Sequence, residues 1–313
     1  MNIDDDYLKT YGYDHISNSY NKAIETIDGY RTGKIKPLKS KFKRLNKTLG
    51  GGVHKATIYT IGGRPGVGKS VFANRLIFDI CKVNDIDKLI FLYNNFEMPN
   101  YMQVIREISA NANKTVNELK SYKVRLAIEQ YNKIKQLKDL FSKYPIYYNS
   151  HATTPEECKV KSLRIKKKYP NKHIIQIFDH SRLLTRKNRQ TEEQNITKLF
   201  SIARDTSVEK EFTNIILSQL NRSIESPERM QGYGPVPRGS DFFGADSVNQ
   251  FSNVSIILQR PDMHRSVSRY MDFQRSQFQD ILFAHIVKNR DGETGWLPFL
   301  QELKYNKLQE TEL

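Results

Sequence analysis

The stretch from Gly63 to Ser70 has the residue types and the spacing of a loop that binds phosphate. It fits the pattern G-x-x-x-x-G-K-[ST] and lies between a short β-branched segment and an apolar helical pattern. Glycines let backbone N–H groups curl around phosphate oxygens, and the following helix points its positive dipole end at them. In such a loop Lys69 reaches the β- and γ-phosphates, and the Ser70 hydroxyl ligates Mg²⁺. The predicted nucleotide-binding residues are Gly63, Arg64, Pro65, Gly66, Val67, Gly68, Lys69, Ser70 and Val71. A glycine-rich structural turn is the alternative.

Three further polar residues, Glu97, Asp179 and Gln219, follow apolar segments that have the pattern of strands. Ligands of an open α/β sheet bind beyond the carboxyl ends of its strands, so we expect these side chains beside the phosphate loop. Asp179 would hold Mg²⁺ through water, and Glu97 would orient and deprotonate the attacking water. Gln219 would sense the γ-phosphate through its amide. The alternative interpretations are that Asp179 is only a strand-ending acid, Glu97 an exposed loop acid and Gln219 a structural amide.

The elements that must position these residues alternate along the chain. A strand pattern precedes the phosphate loop, and others occupy 88–93, 145–148, 173–179, 214–219, 254–259, 281–288 and 295–304. Helical patterns follow the loop and fill much of 99–143, 154–168 and 191–211. This alternation predicts an α/β fold, a mostly parallel twisted sheet flanked by helices on both faces. Residues 221–243 are rich in proline and glycine, so a long surface loop is expected there.

Another helix is predicted near the N-terminus, over about 14–28, after a poorly ordered stretch at 1–13. Its apolar positions fall on one face, and Gly29 is the expected C-cap. This face must pack on its own domain or on a neighbouring subunit. The positions are Ile16, Tyr20, Ala23, Ile24 and Ile27.

The segment 34–44 carries six basic residues and one proline and is interpreted as a linker. It either contacts phosphate or is simply solvated. We therefore divide the chain into an N-terminal segment, residues 1–40, and a main domain, residues 41–313.

The charge balance favours a polyanionic partner. The 313 residues carry a net charge of +16, which indicates nucleic acid first. A solvated basic surface, or a compositional bias from an AT-rich genome, is the alternative. No apolar run is long enough to span a membrane, and the acidic N-terminus is unlike a signal peptide. Cys81 and Cys158 lie too far apart to build a metal site or a disulfide framework, which suggests a reducing cytoplasm.

Several of these segments, in order, resemble the RecA-like motor domain of DnaB-type replicative helicases. The family pattern includes an LTGGL entry, RPxxGK[ST], SLEM, an ID that ends a strand, SQLNR and K-x-R-N-G-x-T-G. The matching segments are Leu45–Ser70, Phe96–Pro99, the Asp179 strand, Ser218–Arg222 and Lys288–Gly295, across roughly 40–305. The resemblance implies a RecA-like P-loop NTPase that uses ATP and Mg²⁺, with Glu97 as catalytic base. Gln219 would couple loss of the γ-phosphate to movement of DNA-binding loops.

The same resemblance implies that Lys288 and Arg290 are a lysine and an arginine finger for the neighbouring subunit's nucleotide. Cations two residues apart on a strand project to one side, in agreement with that role. A solvated strand face is the alternative. DNA contacts are implied for loops lining a central channel, which hold the backbone of a single strand without reading bases. The basic candidates are Arg186, Lys187, Arg189, Arg222, Arg229 and Arg238.

The chain departs from the family pattern in three places. His180 stands where tyrosine is usual, and Ser240–Ser247 reads SDFFGADS instead of SDLRESGS, although Gln250 matches. We expect the family's large N-terminal domain to be absent, because only about 40 residues precede the main domain. Ring formation is therefore expected to rest on the motor interface and on the N-terminal helix.

The resemblance implies a homohexameric ring that moves 5′ to 3′ on single-stranded DNA. A primase or a helicase loader would be a further partner, and a bacterial or phage-infected cytoplasm the location. The short N-terminal segment suggests a minimal phage or mobile-element form. The competing hypothesis is a RecA-like DNA-binding ATPase, such as a recombinase, clamp or loader, that does not unwind. A third hypothesis, an inactive scaffold, is disfavoured by the presence of Lys69, Glu97 and the Lys288–Arg290 pair.

Overall fold

The computed structural model describes residues 5–123, 125–151, 153–179, 184–185, 190–229, 236–263 and 280–312. Its strands are β1 (Ile58–Gly63), β2 (Leu89–Asn95), β3 (Ile146–Asn149), β4 (His173–Asp179), β5 (Thr213–Gln219), β6 (Val254–Gln259), β7 (Ile281–Asn289), β8 (Gly295–Glu302) and β9 (Lys307–Glu310). Its helices are α1 (Asp5–Thr10), α2 (Ile16–Arg31), α3 (Lys43–Thr48), α4 (Lys69–Val83), α5 (Asn100–Ala112), α6 (Val116–Leu119), α7 (Ile128–Phe141), α8 (Pro155–Lys168), α9 (Glu192–Lys210) and α10 (Ala245–Phe251). None of these helices is long and apolar enough to cross a bilayer.

The strands form one sheet in the order β3-β2-β4-β5-β1-β6-β7-β8-β9. From β3 to β6 neighbouring strands run parallel, and from β6 to β9 they run antiparallel. The predicted α/β fold with a mostly parallel sheet is thus confirmed. Strands β4 and β6 have the predicted bounds residue for residue, whereas β9 and the short helices α1, α3 and α10 were not expected from the sequence.

The two faces of the sheet each bury an apolar core, because successive side chains of a strand point to opposite faces. On β5, Ile215 and Leu217 join one core, which includes Phe72 of α4. Ile216 joins the other, which includes Phe200 of α9. A strand covered on both sides has no polar alternation, which explains the continuous apolar runs in the sequence.

The SDFFGADS segment is anchored to the centre of the sheet. Phe242 is fully buried, and a Cβ atom on Gly62 would lie only 2.4 Å from its Cε1 atom. Glycine in β1 therefore permits this close approach. The backbone N–H of Phe243 donates to the carbonyl oxygen of Gln219 over 2.9 Å. The segment that departs from the family pattern is thereby fixed beside the end of β5.

The expected C-cap at Gly29 is wrong. Helix α2 continues to Arg31, and the cap is Thr32, whose backbone N–H donates to the carbonyl oxygen of Asp28. Gly29 is buried inside the helix, and a Cβ atom there would lie 2.6 Å from Cδ1 of Ile35. The glycine thus provides space for Ile35, whereas the sequence had suggested a role in ending the helix.

The region before α2 is more ordered than expected, since α1 occupies part of 1–13. The apolar face of α2 is exposed: Ile16 is 77% exposed, Tyr20 64% and Ile27 61%. This face was expected to pack either on its own domain or on a neighbouring subunit. The described residues of its own domain do not cover it.

Candidate nucleotide-binding site

The phosphate loop leaves the carboxyl end of β1 and leads directly into α4. Gly66 and Gly68 have φ angles of +78° and +106°, a left-handed region that glycine enters without steric cost. Gly68 is the N-cap of α4, whose first residue is Lys69. Backbone N–H groups at such a helix start are donors for phosphate. The loop geometry therefore fits the predicted phosphate cradle.

The Lys69 ammonium is held inside this loop. Its Nζ atom donates to the carbonyl oxygens of Gly63 and Arg64, over 2.8 Å and 3.2 Å. Burial lowers the pKa of Lys69 to about 8, against the opposing effect of the Asp179 and Glu97 carboxylates. A bound anion would stabilise the charged form, so the site is electrostatically suited to phosphate.

Asp179 is a buried carboxylate that receives three side-chain hydrogen bonds. Ser70 Oγ donates to its Oδ1 atom over 3.2 Å. Tyr93 OH donates to Oδ2 over 3.0 Å, and Gln103 Nε2 donates to the same oxygen over 3.5 Å. Burial raises the pKa of Asp179, and the hydrogen bonds from Ser70 and Tyr93 lower it. Hydroxyl and carboxylate oxygens are ligands that Mg²⁺ prefers, so Ser70 and Asp179 fit the predicted metal site.

The predicted residues meet at one edge because β2, β4, β5 and β1 are neighbours in the sheet. The strand register pairs Asn95 with Asp179 and Gly63 with Gln219. Glu97, just beyond β2, is exposed at the same edge. Glu97, Asp179 and Gln219 line a cleft of 580 Å³ together with the phosphate loop. Their juxtaposition is as expected, and their chemical roles stay predictions.

The rest of the cleft comes from segments for which the sequence predicted no role. Arg106 on α5 is half-buried. Burial raises the pKa of Asp179, and the charge of Arg106 lowers it to a smaller extent. Helix α5 also buries two polar residues, Gln103 and Glu107, one turn apart, and their burial is visible only in the folded chain. The turn between β8 and β9 likewise carries no sequence signal. The additional lining residues are Met102, Arg106, Thr115, Val116, Asn117, Leu303, Lys304 and Asn306.

Lys288 and Arg290 lie away from this cleft, at the end of β7. Lys288 Nζ donates to the carbonyl oxygen of Asn249, and Arg290 Nη2 donates to that of Gln250 over 2.6 Å. Both acceptors are in the last turn of α10, where carbonyl groups lack helical partners and attract cations. Burial, followed by the charge of Arg290, lowers the pKa of Lys288. The two cations are thus neighbours, as their spacing predicted.

The DNA-binding candidates differ in their exposure and in their contacts. Arg222 and Arg238 are exposed on either side of the loop after β5. The Arg229 guanidinium instead binds the buried carboxylate of Asp241 and donates to the carbonyl oxygen of Val236 over 2.7 Å. This ion pair holds Arg229 against Asp241, and the DNA contact expected of Arg229 stays a prediction. Arg186, Lys187, Arg189 and the unusual His180 lie outside the described residues.

Comparison with known proteins agrees with this geometry. A model of the DnaB-like helicase C-terminal domain matches residues 37–310. The chain belongs to this family. Replicative DNA helicase DnaB of Geobacillus stearothermophilus is 26% identical over 99% of this chain and 62% of its own length. Replicative DNA helicase DnaC of Bacillus subtilis (strain 168) is 26% identical over 100% of this chain and 62% of its own length. The chain thus spans 62% of the length of these two relatives.

Solved structures show the same fold for ATPase domains of this kind. One isolated ATPase domain superimposes with a TM-score of 0.79 at 22% identity, covering 95% of this chain and 99% of that one. A DnaB-like replicative helicase, whose structure also concerns its interactions with primase, gives 0.77 at 20% identity. That match covers 93% of this chain and 66% of the other. The predicted RecA-like fold class is confirmed.

Proposed function

We propose that this chain is the ATP-hydrolysing motor of a replicative DNA helicase. It would work as a ring-shaped homohexamer that moves 5′ to 3′ on single-stranded DNA in a bacterial cytoplasm. One observation carries the proposal. The phosphate loop, Glu97, Asp179 and Gln219 share one cleft, while the paired cations Lys288 and Arg290 lie elsewhere on the same domain.

The cleft suits phosphoryl transfer to water, a reaction in which enzymes mainly position and stabilise charge. The loop N–H groups and the Lys69 ammonium bind the phosphates of ATP. Ser70 and Asp179 hold Mg²⁺, which when bound offsets phosphate charge. Glu97 is exposed at the cleft edge, where its carboxylate orients the attacking water and accepts its proton. Gln219 reports the state of the γ-phosphate.

Lys288 and Arg290 complete the cleft of a neighbouring copy. An arginine finger supplied in this way contributes about 10³–10⁵ in rate for nucleotide hydrolysis. The carbonyl groups of α10 hold both side chains together, so they approach the neighbouring phosphate as a unit. Hydrolysis therefore depends on two adjacent protomers.

Assembly uses two surfaces under this proposal. The motor interface brings the fingers to the neighbouring cleft, and the exposed apolar face of α2 packs on the adjacent protomer. Residues 1–40 form the segment that carries this helix, and residues 41–313 form the motor. Exposed Arg222 and Arg238, with Arg186, Lys187 and Arg189, contact the DNA backbone. One similar structure concerns interactions with primase, and we extend a primase or loader contact to this chain.

A forked-duplex assay tests the proposal. The full chain, with ATP and Mg²⁺, should displace the strand, and Lys69→Ala should not, since it removes the phosphate-binding ammonium. Electron microscopy with a non-hydrolysable ATP analogue and single-stranded DNA should show six-fold rings. ATP hydrolysis without strand displacement, together with open filaments, would instead support a DNA-binding ATPase that does not unwind.

A further inference from the structure

An ion pair joins the phosphate loop to the segment that follows β5. Arg64 Nε and Nη2 donate to Oε1 and Oε2 of Glu225 over 2.9 Å and 2.8 Å. Two parallel bonds between a guanidinium and a carboxylate fix both distance and orientation. The pair therefore links two loops that are separated by 161 positions in the sequence.

Arg64 also contacts the phosphate-binding lysine through its backbone. Its carbonyl oxygen accepts a hydrogen bond from Lys69 Nζ over 3.2 Å. A phosphate oxygen competes for the protons of the same ammonium, so nucleotide binding changes the hydrogen bonding of the Arg64 backbone. The same residue therefore takes part in both contacts, with its carbonyl oxygen toward Lys69 and its guanidinium toward Glu225.

Glu225 ends a short 3-10 turn, Arg222–Glu225, which begins soon after Gln219. Ile224 in this turn is buried, and Arg222 at its start is exposed. Glu225 and a candidate DNA-binding cation thus belong to one short turn that is anchored by a buried side chain.

The ion pair lies at a small pocket between the loop and the turn. The pocket has a volume of 50 Å³ and is lined by Arg64 and Glu225, with Val67, Leu220 and Ile224 among its other lining residues. Apolar contacts are not directional, so the ion pair supplies the directional link between the loop and the turn.

We propose that Arg64 and Glu225 are positioning residues that transmit the phosphate state of the cleft to the turn carrying Arg222. This inference rests on the proposed function, and it adds a second route beside Gln219. The coupling between the sites is the ratio of single-stranded DNA affinities measured with and without a nucleotide.

The test compares Glu225→Gln with Glu228→Gln in the full chain. Glu228 is exposed in the same loop, so its variant makes the same charge change without breaking the ion pair. Affinity for an oligothymidylate is measured without nucleotide, with ADP and with a non-hydrolysable ATP analogue. We expect Glu225→Gln to reduce the coupling ratio about fivefold, the equivalent of one well-aligned surface ion pair. Nucleotide affinity should stay at the wild-type value, and Glu228→Gln should leave the ratio unchanged.

The conservative variant Glu225→Asp provides the second measurement. It keeps the carboxylate and leaves the phosphate loop intact, so it should retain more coupling than Glu225→Gln. The inference is overturned if Glu225→Gln keeps the wild-type ratio, or if Glu225→Asp couples no better than Glu225→Gln. Failure of the proposed function looks different: the wild-type chain would then bind no ATP, or its DNA affinity would ignore the nucleotide.

Discussion

Lys69 and Arg290 lie near opposite ends of β6, a strand in the interior of the sheet. The Lys69 ammonium is bound at Gly63, which pairs with Leu258 on β6. Four residues earlier on β6, Val254 pairs with Asn289, the neighbour of Arg290. At about 3.3 Å per residue, roughly 13 Å of strand separates the two positions. One chain thus presents a phosphate site and a candidate finger on different sides, the arrangement that a cleft shared between two copies requires.

The first prediction concerns Arg290. If Arg290 is the proposed finger for the neighbouring cleft, Arg290→Ala should bind nucleotide near normally and lose most hydrolysis, about 10³-fold or more. Arg290→Lys should stay strongly impaired, since it keeps the charge and loses the planar fork of donors. Nucleotide affinity and steady-state hydrolysis are both measured. Wild-type hydrolysis by Arg290→Ala would show that the finger assignment is wrong.

Removal of the N-terminal helix should weaken assembly. Deletion of residues 1–30 takes away the exposed apolar face of α2, and sedimentation should then show smaller species at the same concentration. Replacing Ile16, Tyr20 and Ile27 by serine should act in the same direction. The matched control replaces Asn18 and Lys22 on the opposite face by alanine. Unchanged sedimentation of the truncated chain would refute a role for α2 in assembly.

Tyr93→Phe tests the support of Asp179. The change removes a donor to a buried carboxylate, which should cost about 1–3 kcal/mol of unfolding free energy. It should also weaken Mn²⁺ binding in the presence of ADP, because the carboxylate is less well oriented and its pKa rises further. Tyr148→Phe is the control: its hydroxyl is buried without a hydrogen-bond partner in the described part of the chain. Equal stability and Mn²⁺ affinity in the two variants would contradict the assigned support.

The Lys69 ammonium predicts a pH dependence of nucleotide binding. Burial lowers the pKa of Lys69 to about 8, so the free protein carries this charge below that pH and loses it above. ADP affinity should therefore fall as the pH rises from 7 to 9.5, and binding above pH 8 should take up a proton. The terminal phosphate of a nucleotide titrates at about pH 6, below the range from pH 7 to 9.5. Calorimetry in buffers of different ionisation enthalpy measures the uptake, and a flat affinity without uptake would exclude this account.

The sequence predicted the cleft well where chemistry follows the ends of strands. Asp179 and Gln219 are easily found, because each ends a continuous apolar run, and the parallel sheet then brings them to Lys69. Gly29 shows the limit of local patterns. A glycine near a helix end suggests a cap, but here the reason for it is the distant side chain of Ile35.

The remaining cleft residues depend on tertiary contacts. Leu303 reaches Gly68 only because β8 and β9 form a hairpin at the far end of the chain. Arg229 looked like a free cation until the fold brought it to Asp241. No spacing rule relates positions paired in this way, so the sequence alone could not assign them.

The most direct test of the shared cleft is ATP hydrolysis per chain across a dilution series, with sedimentation at the same concentrations. If two protomers share each cleft, the hydrolysis rate per chain should fall in step with the loss of oligomer. It should approach zero where only monomer sediments. A full rate per chain from a species that is monomeric at every concentration would contradict the shared cleft.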